Sequence, residues 1–220
     1  MVTDAAEDYL KAIFALRSGE RPTTTTAIAD RLGITAPSVS AMVKRLEADR
    51  LVRRPSPREI DLTPEGERAA LRVVRRHRLL ETFLSRVLDV PWDEVHEEAE
   101  QLEHAVSDRL EERIDRLLGY PQRDPHGDPI PRGDGDHDDR PGPTLAAAAV
   151  GGRVRVERVS DRDPEALRYL GELGIRPDAV LTVLEHAPFG GPTWVELDGQ
   201  RHALPPTLTR LVSATVLDAS

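Results

Sequence analysis

Residues 24–62 read TTTAIADRLGITAPSVSAMVKRLEADRLVRRPSPREIDL. A threonine cap region opens a short amphipathic run to Leu32. Gly33 follows as the stop, where left-handed backbone costs least without a Cβ. A second run begins near Thr35. Pro37 stands in its first turn, where a missing N–H is no loss. Val39, Met42, Val43 and Leu46 make its buried stripe. Two short strands then flank a Pro-Ser-Pro turn, with Arg53, Arg54 and Arg58 around it. Two helices across a glycine turn, then an arginine-bearing hairpin, predict a winged helix-turn-helix. In such a head the helix Ile34–Arg50 lies in a major groove. Thr35, Pro37, Ser38 and Ser40 then offer hydroxyls and a proline ring to bases and backbone. Lys44, Arg45, Arg53, Arg54 and Arg58 would neutralise phosphates. Double-stranded DNA is the expected partner.

On either side the pattern stays helical. Residues 4–17 carry Ala6, Leu10, Ile13 and Phe14 at helical spacing. Thr63-Pro64-Glu65-Gly66 opens a long helix to about Leu88, and a second long helix is expected from about Pro91 to Leu118. Residues 121–145 form a Pro/Gly/Asp-rich linker, although RDPHGDPIP looks too specific for a pure spacer. From Leu145 the period becomes that of strands: GRVRVERV, AVLTVLEH, TWVELDGQRHAL and SATVLDA, with the helix PEALRYLGELG between the first two. The expected fold is mainly α in its N-terminal half, with a small β-barrel at the C-terminus. The expected divisions are 1–63, 64–120, 121–145 and 146–220.

The chain has 220 residues and no cysteine, which excludes disulfide scaffolds, thiolate zinc sites and cysteine nucleophiles. No membrane-length apolar run or signal sequence is present, so a soluble cytoplasmic protein is expected, with no membrane partner. The formal charge of −9 is uneven. Residues 1–90 hold 16 basic and 13 acidic side chains, whereas residues 91–145 hold 6 and 16. A locally basic head is joined to a strongly acidic middle.

That acidic middle is patterned. His96, Glu100, Glu103 and His104 fall on one helical arc roughly 100° wide. Val95, Ala99, Leu102, Val106 and Leu110 occupy the adjoining arc, so the polar stripe borders a buried face. His77 and Glu81 on the preceding helix are spaced i, i+4 and share their face with Val73 and Leu84. Imidazole and carboxylate without sulfur suit divalent transition metals. A metallohydrolase is the alternative from another class, but His96-Glu97-Glu98-Ala99-Glu100 lacks the final histidine of an H-E-x-x-H motif.

The stretches AEDYLKAIF, ITAPSVSAMVKRLE, RRHRLLETFL, WDEVHEEAEQLEHAVSDRLEERID and DPHGDPIP, with the C-terminal strand pattern, resemble the diphtheria-toxin-repressor family of metal-activated bacterial repressors. The resemblance implies a helical metal-binding and dimerisation domain at 64–120 and an SH3-like domain, of the ferrous-transport-protein-A type, at 146–220. It implies a homodimer on a palindromic operator and no enzymatic activity. It places Asp8, His77, Glu100, Glu103 and His104 in a primary metal site, Asp8 on the resemblance alone. It places Glu81, His96, Asp124, His126 and Asp161 in a secondary site, with Asp163 as the alternative to Asp161. The iron-sensing branch has methionine at the place of Asp8 and cysteine at the place of Glu100. Two carboxylates there resemble the manganese-sensing branch, so Mn(II) is the expected cofactor, with Fe(II), Co(II) or Zn(II) as substitutes in vitro. Two departures stand out: Lys11 where shorter manganese regulators have a glutamate, and Arg158 where the iron branch has a carboxylate ligand.

Overall fold

A computed structural model describes residues 3–17, 22–132 and 139–217. Part of the expected linker, 133–138, lies outside the described residues. The head consists of helices α1 (Asp4–Arg17), α2 (Thr25–Leu32) and α3 (Ala36–Ala48) and the hairpin β1 (Val52–Ser56) and β2 (Glu59–Leu62). Thr24 caps α2 by accepting from the Ala27 N–H at 3.2 Å, and Gly33 ends that helix at φ 64°. Thr35 caps α3 through Ser38, and the two hydroxyls lie 2.9 Å apart. Leu10, Ile13, Ile28, Val39, Val43, Leu46 and Ile60 are buried in one core. The head is thereby fixed to the start of the long helix α4 (Pro64–Leu88), whose Ala69, Ala70 and Val74 join the same core.

The expected helix from Pro91 to Leu118 is two helices, α5 (Val95–Leu102) and α6 (Asp108–Leu117). The break has two causes. Ser107 caps α6 by accepting from Leu110 N–H, at 3.4 Å. The Glu103 carbonyl accepts from Arg76 Nη1 at 3.1 Å, which satisfies a group left over at a helix end. α6 then returns against α4, tied by Arg75 to Glu111 at 2.9 Å and to Asp115 at 2.7 Å. Leu80, Leu84, Val95, Ala99 and Ile114 form the core between these three helices.

The C-terminal part holds a short 3₁₀ turn (Leu145–Ala147), strands β3 (Arg153–Val159), β4 (Val180–His186), β5 (Thr193–Leu197), β6 (Gln200–Leu204) and β7 (Val212–Leu217), and helices α7 (Pro164–Glu172) and α8 (Pro206–Thr209). All pairings are antiparallel, in the order β6-β5-β4-β3-β7. The expected barrel does not close. The outer edge of β7 is taken instead by residues 143 and 144: Ala214 N–H donates to Pro143 O at 2.9 Å, and Thr144 bridges Ser213. Pro205 and Pro206, at the exit from β6, bring no N–H of their own. Trp92, from the loop between α4 and α5, is 5% exposed and belongs to the core under this sheet. No helix among the described residues is long and apolar enough to cross a membrane.

Candidate metal centre

Three elements bring the first cluster together. α1 supplies Asp8, α5 supplies Glu100, and the turn just beyond α5 supplies Glu103 and His104. Ligand-type atoms of Asp8, Glu103 and His104 lie within 4.8 Å of one another. His104 Nε2 is 2.8 Å from Asp8 Oδ1, and its Nδ1 is 3.0 Å from Glu7 Oε2. Although helical phase sets Asp8 apart from the apolar stripe of α1, His104 meets it at the edge of that helix. Glu103 is fully buried: its Oε2 lies 2.5 Å from His77 Nδ1, and its Oε1 accepts from Lys11 Nζ at 2.6 Å. Lys11 also donates to Glu100 Oε1 at 2.7 Å.

His77 joins this cluster to a second one. Its Nε2 lies 3.0 Å from Glu81 Oε1 and 3.1 Å from His96 Nδ1. Glu81, His96 and Asp161 form a ligand-sized group, with His96 Nδ1 3.1 Å from both Glu81 Oε1 and Asp161 Oδ2. His96 Nε2 is 3.7 Å from Glu100 Oε1, so the two clusters are contiguous. Asp163, the alternative to Asp161, instead caps α7 by accepting from Ala166 N–H at 3.1 Å.

Glu81 also faces Asp124 and His126, and all three are buried. His126 Nε2 donates to the Trp92 carbonyl at 2.7 Å. That bond fixes the tautomer and leaves the Nδ1 lone pair inward, buried and without a hydrogen-bond partner, 3.9 Å from Glu81 Oε1. A ligating histidine is oriented in this way, by a carbonyl on its other nitrogen. Asp124 Oδ1 accepts from the N–H groups of His126 and Asp128, each at 2.9 Å, so the turn 124–128 is built around this carboxylate. Arg158 is paired with Asp128 and, at 3.9 Å, with Asp139.

Burial and neighbouring charge oppose one another at the histidines of these clusters. Burial would lower the His77 pKa, but the Glu81 charge and the hydrogen bonds that His77 donates to Glu103 and Glu81 push it up to about 9. Burial would likewise lower His96, yet Asp161 and Glu81 push it up to about 10. Burial would raise Glu81, but the His77 charge and hydrogen bonds with His77 and His96 together hold it well below the usual carboxylate range, whereas burial and the Glu81 charge hold Asp124 well above that range. The donor set is imidazole nitrogen and carboxylate oxygen, gathered with an orphaned inward lone pair. It fits divalent metal ions.

On the head, Thr35, Pro37, Ser38, Ser40, Lys44, Arg45 and Arg58 are all exposed. Arg53 and Arg54 are exposed but paired: Arg53 with Asp61 at 2.5 Å, and Arg54 with Glu47 at 3.1 Å. Sequence reasoning missed Glu7, which has no periodic signal but adjoins Asp8, and the carboxylate-bridging place of Lys11.

A winged head joined to buried histidine–carboxylate clusters defines a metal-responsive DNA-binding protein. The family model for "Iron dependent repressor, N-terminal DNA binding domain" matches residues 1–56, that for "Iron dependent repressor, metal binding and dimerisation domain" residues 63–132, and that for the FeoA domain residues 144–215. The iron-dependent repressor IdeR of Mycobacterium leprae (strain TN) is 36% identical over 205 residues, covering 86% of this chain and 87% of that one. IdeR of Mycobacterium tuberculosis (strain ATCC 25618 / H37Rv) is 34% identical and covers 96% of each. Among solved structures, a manganese-dependent transcriptional repressor in complex with manganese has a TM-score of 0.90 and 44% identity, covering 96% of this chain and 100% of that one. The manganese regulator SloR has a TM-score of 0.80 and 34% identity, covering 96% and 98%. The chain belongs to the iron-dependent, or diphtheria-toxin, repressor family. It is a metal-dependent, DNA-binding transcriptional repressor and not an enzyme, which removes the metallohydrolase alternative.

Proposed function

We propose that this repressor is activated by Mn(II), acts in the cytoplasm and controls manganese uptake. The observation that carries this reading is the donor set. Asp8 and Glu100 flank Glu103 and His104, and no sulfur is at hand among the described residues: the chain has no cysteine, and of its two methionines, Met1 and Met42, only Met42 is described. Met42 packs against the head's core. Oxygen-rich shells suit Mn(II), while thiolate and thioether favour softer ions. The likeness to a manganese-dependent repressor in complex with manganese, at 44% identity, supports the same direction.

In this reading Asp8, His77, Glu100, Glu103 and His104 form the primary site. Glu81, His96, Asp124, His126 and Asp161 form the secondary one. The functional divisions are a DNA-binding head at 1–63, a metal-binding and dimerising middle at 64–120, a linker at 121–145 and a modulating domain at 146–220. A divalent ion supplies concentrated positive charge where these carboxylates meet. Asp8 ties the head to the turn after α5, and His77 ties α4 to it. Asp161 draws the C-terminal sheet toward His96. Together these ties hold α3 at a fixed separation from its twin in a homodimer, as a palindromic operator demands. Exposed Leu88, Leu102, Leu110 and Leu117 on the helical middle support dimerisation there.

Operator affinity against free metal, measured anaerobically for wild type and for Asp8→Met with Glu100→Cys, tests the reading. Wild type should respond to Mn²⁺ more strongly than to Fe²⁺, and the double variant should reverse that order. A wild type that responds better to Fe²⁺ would make the protein an iron regulator, the reading favoured by its likeness to the mycobacterial iron-dependent repressors.

A further inference from the structure

Lys11 stands on α1, one turn beyond Asp8. Its side chain is 15% exposed, and its Nζ spans Glu100 Oε1 at 2.7 Å and the buried Glu103 Oε1 at 2.6 Å. Two carboxylates assigned above as metal ligands therefore already share a cation, and the DNA-binding head delivers it. We propose that Lys11 is a resident competitor for the metal: its ammonium holds Glu100 and Glu103 in the metal-free chain and must be displaced for a divalent ion to take them, so it sets the metal concentration at which repression begins.

The inference rests on the proposed primary site and deepens it. Geometry supplies the first argument. Both oxygens of Glu103 are occupied, Oε1 by the Lys11 ammonium at 2.6 Å and Oε2 by His77 Nδ1, so a divalent ion that takes this carboxylate displaces one of the two. Charge supplies the second. Displaced from its two carboxylates, the ammonium still stays beside the cluster on α1, so the three negative charges of Asp8, Glu100 and Glu103 are neutralised by one divalent ion and this neighbouring ammonium. A second ion beside the ammonium would leave a net positive charge in a largely buried place. Lys11 therefore also limits the cluster to a single ion. The other charged groups have partners of their own: Glu7 is engaged by His104, His77 lies between Glu103 and Glu81, and His96, 3.7 Å from Glu100, is held by Glu81 and Asp161.

The full-length protein, titrated with Mn²⁺ alone, tests this. A neighbouring charge shifts a binding equilibrium for a proton by about one to three decades. Lys11→Gln should accordingly bind Mn²⁺ at the primary site at least about tenfold more tightly than wild type and reach half-maximal operator binding at correspondingly lower Mn²⁺. Its metal-free form should melt lower, because Glu100 and Glu103 have lost their counter-ion. Lys11→Glu should bind one more Mn²⁺ per chain and show an exchange-coupled pair by electron paramagnetic resonance. A folded Lys11→Gln whose Mn²⁺ affinity is unchanged or weaker overturns the proposal. So does an exchange-coupled pair in wild type. Glu103→Gln keeps the failures apart: if it binds as many Mn²⁺ ions as wild type, with the same affinities, the primary-site reading fails and the role of Lys11 falls with it.

Discussion

His126 shows how much one buried ring can say. It is completely buried, one nitrogen donates to the Trp92 carbonyl, and the other has no hydrogen-bond partner. An orphaned buried acceptor costs about 1–3 kcal/mol, which is a poor return for a purely structural histidine. His126→Phe would remove that orphan and create another at the Trp92 carbonyl. The two terms nearly cancel, so the metal-free protein should change by no more than about 1 kcal/mol. The stabilisation that Mn²⁺ gives to wild type should shrink, because Glu81 and Asp124 lose their nitrogen partner. Thermal melts with chelator and with Mn²⁺ read both quantities. A large loss without metal, together with an undiminished Mn²⁺ effect, would show His126 to be structural. At this scale the sequence was partly legible. Helical phase brought out His77, Glu81, His96, Glu100, Glu103 and His104 because each lies beside an apolar stripe. Glu7 and Lys11 lie on the same helix as Asp8, but their partners are roughly ninety residues away, and periodicity carries no information about such pairs.

Between residue and molecule, the head was read most directly, since its helices start at Thr24 and Thr35 and the first ends at Gly33 through local bonds. The break after α5 was hidden because residues 91–118 keep an unbroken helical period. The cap at Ser107 and the reach of Arg76 to the Glu103 carbonyl decide it, and the second of these is a tertiary contact. Tertiary pairing also separates the wing arginines. Arg53 is engaged by Asp61 and Arg54 by Glu47, whereas Arg58, at the hairpin turn, has no ion-pair partner among the described residues. Arg58→Ala should therefore weaken binding about equally to all DNA sequences and reduce the slope of log affinity against log salt by about 1. Arg53→Ala should change the slope less, because its charge is already offset by Asp61. Affinities across a salt series for both variants check this, and a larger slope change for Arg53→Ala would reverse the assignment.

Across the whole molecule, the C-terminal sheet is docked on the acidic turn 123–131 and is no loose appendage. The low apolar content of that turn made it read as a linker, yet Asp124, His126, Asp128 and Ile130 are buried. Val159 N–H donates to the His126 carbonyl at 2.9 Å, Arg123 pairs with Glu157 at 2.8 Å, and Trp92 crosses from the helical middle into the core of the sheet. Gly127 is the tightest point of this contact. It has φ +91°, and a Cβ built on it would lie 2.0 Å from the Glu157 carbonyl oxygen. A side chain there is strained by its own backbone and must push β3 away, and Asp161 follows β3 by two residues. Gly127→Ala should therefore undock the sheet while sparing the primary cluster, which uses no residue beyond His104. In a Trp194→Phe background, emission from Trp92 should shift to the red. The Mn²⁺ held at the secondary site should be lost, and operator binding should need more Mn²⁺ while dimerisation persists. Asp161→Ala separates the two consequences, since it removes the carboxylate opposite His96 and leaves the docking contacts in place. Metal should fall as in Gly127→Ala, but Trp92 emission should stay where it is. If Gly127→Ala leaves both emission and metal content unchanged, the docked sheet does not govern the secondary site.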